Sequence, residues 1–323
     1  LEFDAQVIAA YGRHLRVRDD AGQVLQARPF GRRLQVVCGD RVRCATDPAH
    51  GETHVTEILP RRSLLARATL RGDAEPVVAN LSLLVAVMAP LPRPDLFVID
   101  RYLCAASSAG LKALVVVNKV DLLAASAPDT AAGATSDETA SAGLRALMQG
   151  FQIAGYPVVV CSAASGDGLD ELRQRLRDET SVFVGQSGVG KSSIITQLVP
   201  ALEIATGDLD RDAEGRHTTT SSALYDLPGG GALIDSPGVR DFAPAISSLE
   251  PRSLGFPEVD QLAQSCRFID CQHLQEPGCA VRAAVESAAM DARRYESYRR
   301  LRRLQKDLKT AQGPGRRRDQ DRA

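Results

Sequence analysis

Val182-Phe-Val-Gly-Gln-Ser-Gly-Val-Gly-Lys-Ser-Ser-Ile-Ile195 is the stretch that decides the fold. Its first residues read as a buried strand, its glycines as a tight loop, and Lys191 onward as the first turn of a helix. Gly185 to Ser192 match G-x-x-x-x-G-K-[ST], a phosphate-binding loop. The chemistry needs these residue types. Glycines let backbone N–H groups close around phosphate oxygens, the Lys191 ammonium reaches the β- and γ-phosphates, and the Ser192 hydroxyl ligates Mg²⁺. The positive end of the helix dipole adds to the same field. The expected phosphate contacts are Gly185, Gln186, Ser187, Gly188, Val189, Gly190, Lys191, Ser192 and Ser193.

The 323 residues, 44% of them hydrophobic, suffice for two or three domains with real cores. A net charge of −1 gives no global argument for nucleic acid, so any such argument must be local. Seven cysteines, an odd number with no leader ahead of them, favour a reducing cytoplasm. The most apolar stretch, Leu81 to Leu91, is too short to span a bilayer, so no membrane association is expected.

Three domains are expected, 1–72, 73–241 and 242–323. In the first, Gln6 to Ala9, His14 to Arg18, Val24 to Ala27, Asp40 to Cys44 and His54 to Ile58 read as five short strands separated by turn signals, the pattern of a small β-barrel. Arg13, Arg16, Arg18, Arg28, Arg32, Arg33, Arg41 and Arg43 would face outward, either to bind single-stranded nucleic acid or as a solvated surface. The second domain reads as α/β. Leu83 to Val87, Ala113 to Val117, Pro157 to Val160 and Val182 to Val184 are buried parallel strands, with helices at Phe97 to Ser107 and Gly168 to Arg177. Ser222 to Leu227 and Gly231 to Ile234 form a hairpin, and Ala124 to Ser141 is a flexible surface insertion. In the third domain a cysteine cluster precedes one helix from Val281 to Ala311, and Arg316 to Arg318 form a disordered tail.

Four further constellations carry chemistry. Asn118-Lys119-Val120-Asp121 follows a buried strand and reads as a guanine-specificity loop. The Asp121 carboxylate can accept from guanine N1–H and the 2-amino group, a donor pair that adenine lacks, and Asn118 would tie this loop to the phosphate loop. Ser162 and Ala163 follow the next strand, where a backbone N–H, that of Ala163, can donate to guanine O6. Asp235-Ser-Pro-Gly238 ends another strand, with Asp235 placed to hold Mg²⁺ and Gly238 to sense the γ-phosphate. In Gly215-Arg-His-Thr-Thr-Thr220 one of Thr218, Thr219 and Thr220 completes the Mg²⁺ shell, and the sequence does not single one out.

The order of these parts is permuted. The guanine loops precede the phosphate loop instead of following it, so Asp235 to Gly238 sit where the chain leaves for its C-terminal domain. A γ-phosphate-dependent movement there would pull on that domain. Val239 stands where many GTPases carry a water-orienting Gln, so slow intrinsic turnover is expected. His217 is the candidate to orient or deprotonate water; the alternative is a switch histidine meeting only solvent or a partner.

Cys266, Cys271, His273 and Cys279 crowd three thiols and an imidazole into one short segment, a Cys₃His set suited to a closed structural zinc site. Cys38, Cys44, Cys104 and Cys161 read as small core residues. Arg293, Arg294, Arg299, Arg300, Arg302, Arg303, Lys306 and Lys309 make a basic helix face, for RNA phosphates or for water.

With these residues in view, the chain resembles the circularly permuted bacterial GTPases of the ribosome small-subunit-dependent GTPase A (RsgA) family. The resemblance rests on Val37-Cys-Gly-Asp-Arg-Val42, Asn118 to Asp121, Gly185 to Ser193, Gly215 to Thr220, Asp235 to Gly238, the Cys266–Cys279 cluster and Arg294-Tyr-Glu-Ser-Tyr298. It implies an N-terminal OB-fold, a central GTPase domain and a C-terminal zinc domain. It also implies binding of GTP and GDP with Mg²⁺, one structural Zn²⁺, and late maturation of the small (30S) ribosomal subunit through contacts to its rRNA. Hydrolysis of GTP would be stimulated by that subunit, in the cytoplasm, by a monomer.

Overall fold

The structure, a computed structural model, describes residues 2–31, 33–47, 50–69, 74–124, 135–199, 221–240, 244–246 and 249–311. His217, Thr218, Thr219, Thr220, Arg32 and the Arg316–Arg318 tail lie outside them.

Strands β1 (Glu2–Tyr11), β2 (His14–Asp19), β3 (Val24–Pro29), β4 (Arg41–Thr46) and β5 (Thr53–Ile58) run in the order β1-β2-β3-β5-β4. A β1–β4 pairing closes the barrel, and only β3 and β5 pair in parallel. Period-2 alternation turns Ala5, Val7, Leu15, Val17, Ala27, Val42, Cys44 and Val55 inward. All five expected strands are present. A sixth and seventh, β6 (Leu64–Ala68) and β7 (Ala74–Ala79), form a hairpin the sequence did not announce, and it spans the expected boundary at residue 72. Gly39 explains how closely this hairpin lies on the barrel. A Cβ there would stand 2.1 Å from the Ala79 carbonyl oxygen, and its φ of +91° suits glycine.

The central sheet runs β10 (Val158–Val160), β9 (Lys112–Val117), β8 (Leu83–Met88), β11 (Thr180–Val184), β13 (Ala232–Asp235) and β12 (Ser221–Asp226). All neighbours pair in parallel except the β12–β13 hairpin. Residues of one parity, such as Leu84, Ala86 and Met88, pack with Ile99, Leu103 and Phe151 from α1 (Leu96–Ser108) and α3 (Thr135–Ile153). Those of the other, Leu83, Val85 and Val87, meet α4 (Leu169–Leu176) and α5 (Lys191–Leu198). Helices on both faces explain why these strands are unbroken apolar runs. β12 also pairs with β1, so barrel and central sheet share one eleven-stranded sheet.

Two expectations change. The Ala124–Ser141 insertion is partly helical: after the short α2 (Asp121–Ala124), α3 already begins at Thr135. Thr135-Ser-Asp-Glu138 has the S/T-x-x-E pattern of a helix start, and alanine, frequent in this stretch, is the best helix former. Residues 125–134 are outside the described residues. The C-terminal helix is two helices, α8 (Ala280–Glu286) and α9 (Ala292–Ala311). Ala288 adopts φ 59°, and Met290 N–H donates back to the Ala284 carbonyl at 3.0 Å, a closing pattern that ends α8. Asp291 then caps α9 through Arg293 N–H at 2.7 Å and Arg294 N–H at 3.2 Å.

The C-terminal part of the chain, which includes α7 (Pro257–Ala263), is joined to α1 by buried charge. Arg294 bonds Asp100 at 2.7 Å and Glu258 through two nitrogens, and Arg293 reaches the other Asp100 oxygen at 2.7 Å. Asp100 and Arg294 are both fully buried. Burial alone would depress the Arg294 guanidinium; the hydrogen bond and charge of Glu258, with the charge of Asp100, outweigh it and raise its pKa. Among the described residues no helix is long and apolar enough to cross a membrane.

Candidate functional site

Parallel pairing puts the carboxyl ends of β9, β10, β11 and β13 on one edge of the sheet, the edge where open α/β folds bind ligands. The phosphate loop leaves β11 there and enters α5. Its glycines are needed. A Cβ on Gly185 would stand 2.2 Å from the Val87 carbonyl oxygen, and one on Gly190 2.3 Å from Asn118 Nδ2. Gly185, Gly188 and Gly190 all have positive φ. Lys191 Nζ lies across the loop, donating to the carbonyls of Gly185 at 2.5 Å and Gln186 at 2.8 Å. Ser187, Gly188, Ser192 and Ser193 are exposed, while Val189 is buried and anchors the loop to the core.

Asn118 is the hub of this edge. Its buried amide donates to the Val189 carbonyl at 2.9 Å and accepts from Ala163 N–H at 3.0 Å, so one side chain joins three loops. Lys119, at φ 61°, lays its ammonium on the Gly188 carbonyl at 2.5 Å, and Val120 N–H meets the Cys161 carbonyl at 3.4 Å. Ser162 Oγ donates to Asp121 Oδ1 at 2.5 Å and so orients that carboxylate. The Ala163 N–H, expected to donate to guanine O6, donates to Asn118 Oδ1 in this structure.

Asp235 closes β13, and Gly238 lies in α6 (Pro237–Arg240), 3.2 Å from Val77 of β7 as measured from its would-be Cβ. Ser236 Oγ bonds Ser222 Oγ at 2.6 Å. Val239 is fully buried, which fits a packing role at that position. The chain then runs beside β6, with Arg67 bridged to Pro244, and Arg101 of α1 donates to the Pro244 carbonyl at 3.2 Å. A further tie was not read from the sequence. Asp95, the N-cap of α1, receives its helix amides at Oδ1, and its own N–H donates to Gln186 Oε1 of the phosphate loop at 2.8 Å. The signal available was Pro94-Asp95 ahead of an apolar run.

In the C-terminal part of the chain the ligand atoms of Cys266, Cys271, His273 and Cys279 lie within 4.8 Å of one another. His273 Nδ1 is 3.5 Å from the sulfurs of both Cys266 and Cys279, which are 4.0 Å apart. A tetrahedral zinc with bonds of about 2.3 Å to sulfur and about 2.0 Å to nitrogen gives edges of roughly these lengths. The donor set therefore fits a metal ion. Burial, with the crowding of neighbouring thiols, pushes Cys271 up to about 12, a repulsion that a dication relieves. Burial also lowers the His273 pKa, favouring the neutral ligand form. The loop has its own supports. Glu276 accepts three backbone N–H bonds of 2.9 Å from Gln272, Leu274 and Gln275; against the cost of burial these bring its carboxyl down to about 2. Tyr295 and Tyr298 of α9 donate to the carbonyls of His273 and Gln272 at 2.7 and 3.0 Å.

The sequence pattern of the family described as RsgA GTPase matches residues 58–244. The chain belongs to the RsgA GTPase family. It is thereby a member of a GTP-hydrolysing family with a permuted order of parts. A protein of Ectopseudomonas mendocina named "Small ribosomal subunit biogenesis GTPase RsgA" is 40% identical over 301 residues, covering 91% of this chain and 83% of that protein. One of the same name from Azotobacter vinelandii is 40% identical over 305 residues, covering 93% and 85%. Among solved structures, YjeQ from Thermotoga maritima superposes with a TM-score of 0.69 at 25% identity, over 94% of this chain and 98% of that one. YloQ, described as a circularly permuted GTPase, gives 0.67 at 25% identity, over 95% and 96%.

The basic helix face differs from the sequence expectation. Arg294 and Arg302 are buried and Arg293 is half-buried. Arg302 donates to the Pro251 and Arg252 carbonyls and to Tyr298 Oη. These three serve the interior of this RsgA-family chain. Arg300, Arg303 and Lys306 remain exposed, with Arg300 over the Phe97 ring at 3.9 Å. Arg299 pairs with Glu296 at 2.9 Å, and the Lys309 side chain is outside the described set.

Proposed function

We propose that this chain hydrolyses GTP as a switch in the maturation of the small ribosomal subunit, and that the subunit stimulates the reaction. The observation that carries the reading is the 40% identity, over 91% of the chain, to a protein named for small-subunit biogenesis, together with a phosphate loop and guanine loops joined through Asn118. Lys191 neutralises phosphate charge, and its present partners are carbonyls that a phosphate oxygen can replace. Asp121, oriented by Ser162, selects guanine. Ser192 and Asp235 would hold Mg²⁺, which would supply positive charge against that of the phosphates. One of Thr218, Thr219 and Thr220 joins that shell, Gly238 reports the γ-phosphate, and His217 attends the attacking water. Cys266, Cys271, His273 and Cys279 hold one structural Zn²⁺. The protein works as a cytoplasmic monomer with three parts, 1–72 and 242–323 gripping rRNA on either side of the GTPase part 73–241.

The test is co-sedimentation with purified small subunits in the presence of a non-hydrolysable GTP analogue or of GDP. Tighter binding with the analogue is expected. Equal binding in both states would remove the switch from the reading.

A further inference from the structure

The β6–β7 hairpin is fixed to the barrel and packs on the chain that follows Asp235. Ala79 N–H donates to the Cys38 carbonyl at 3.1 Å, and Asn80 Nδ2 donates to the Gly39 carbonyl at 2.9 Å. Val239 is fully buried in the same apolar cluster as Leu65 and Val78 of the hairpin. Farther along, Arg67 of β6 bridges Pro244, and Ala245 N–H meets the Ala66 carbonyl at 3.4 Å.

The ladder of this hairpin slips at one residue. Leu65 pairs with Val78 and Ala66 with Pro76, which leaves Val77 as an extra residue without a partner in β6. Such bulges re-aim a side chain, and they recur next to active sites. This one aims Val77 at Gly238. A Cβ on that glycine would stand 3.2 Å from Val77 Cγ1, closer than packed carbons rest. Ser236 Oγ, at 3.5 Å from the same point, would be in ordinary contact. The backbone of Gly238 makes no demand of its own: it lies in α6, with φ outside the left-handed region. What excludes a side chain there is Val77.

We propose that Val77 is a positioning residue for the reaction: from the bulge in β7 it sets where the Gly238 backbone stands, and so how well the chain tells GTP from GDP. The proposal rests on the GTP-switch reading above, in which Gly238 reports the γ-phosphate, and adds the residue that tunes that report. GDP has no γ-phosphate, so only the triphosphate gains from Gly238 being rightly placed. A ligand shifts a switch only by its differential interaction with the two states. A side chain that packs on Gly238 therefore enters the ratio of the two affinities, whereas a general loosening of the fold moves both together.

The experiment uses the full chain and fluorescent forms of GDP and of a non-hydrolysable GTP analogue, titrated with Mg²⁺ present. Wild type, Val77→Ala, Gly238→Ala and the double variant are compared by their analogue-to-GDP affinity ratio, with melting points alongside. Gly238→Ala should lower the ratio roughly tenfold, within the range known for residues in contact. Val77→Ala alone should lower it less, about two- to threefold, because the glycine is then merely unsupported. In the double variant the new methyl fills the space the valine left, and the ratio should return to within about threefold of wild type. Losses that simply add in the double variant, or a Val77→Ala ratio equal to wild type, overturn the proposal. GTP turnover with small subunits, measured in parallel, separates the two ideas. Strong stimulation without rescue in the double variant sinks only the role of Val77. Rescue without stimulation sinks only the ribosomal reading, and a wild-type chain that binds neither nucleotide overturns both.

Discussion

On the barrel, Arg16 and Arg28 are exposed and, among the described residues, form no ion pair; on α9, Arg294 and Arg302 turn inward and are buried. In the sequence both regions are runs of arginine with apolar residues between. The difference lies in what the fold brings to them. Arg294, Tyr298 and Arg302 fall on one helix face at i, i+4 and i+8, and that face meets Asp100 and Glu258, more than thirty positions away in the chain. Among the described residues, no strand brings an acid into an ion pair with Arg16 or Arg28. Charge density therefore tells where arginines are, and tertiary partners decide whether they join parts of this molecule or await another.

Predictions that could break this comparison run from the largest effect to the smallest. Chelating the metal should loosen the third domain most, because structural zinc contributes on the order of 10 kcal/mol to such segments. Thiol titration should then find Cys266, Cys271 and Cys279 reactive. Thiols that react equally before and after chelation would argue against a bound metal. Arg294→Ala should cost about 3–5 kcal/mol in thermal or denaturant unfolding, since it strands Asp100 and Glu258. A melting curve that does not move would mean that the buried network is not what joins α9 to α1. Arg302→Ala should cost less, about 1.5–3 kcal/mol, because its partners are carbonyls and a phenol. Arg303→Ala, on the exposed side of the same helix, should change stability by no more than about 0.5 kcal/mol. Equal losses for Arg303 and Arg294 would erase the division into inward and outward arginines.

Much of this was legible in the sequence where local pattern and local structure coincide. The strand–loop–helix form of Val182–Ile195, the five barrel strands and the parallel core strands all follow from short-range periodicity and glycine placement. The Cys266–Cys279 spacing likewise brings its four side chains together. What stayed hidden depends on distance or on unusual conformation. The pairing of β1 with β12 joins residues over two hundred positions apart, and nothing in Ala9-Ala-Tyr11 indicates it. The break between α8 and α9 falls at Ala288 in a conformation that alanine rarely adopts, so propensity argued for continuity. Ala163 illustrates the same limit at the candidate site: its amide is committed to Asn118, a partner that only the folded edge supplies.

The central claim is that these parts form a GTPase answering to the small ribosomal subunit. The most direct measurement is GTP turnover, with GDP and phosphate quantified, in the presence of purified small subunits, of large subunits, and of neither. Slow intrinsic turnover, raised strongly by small subunits alone and lost in Lys191→Ala, is the predicted result. Turnover that stays equally slow in every mixture would contradict the account.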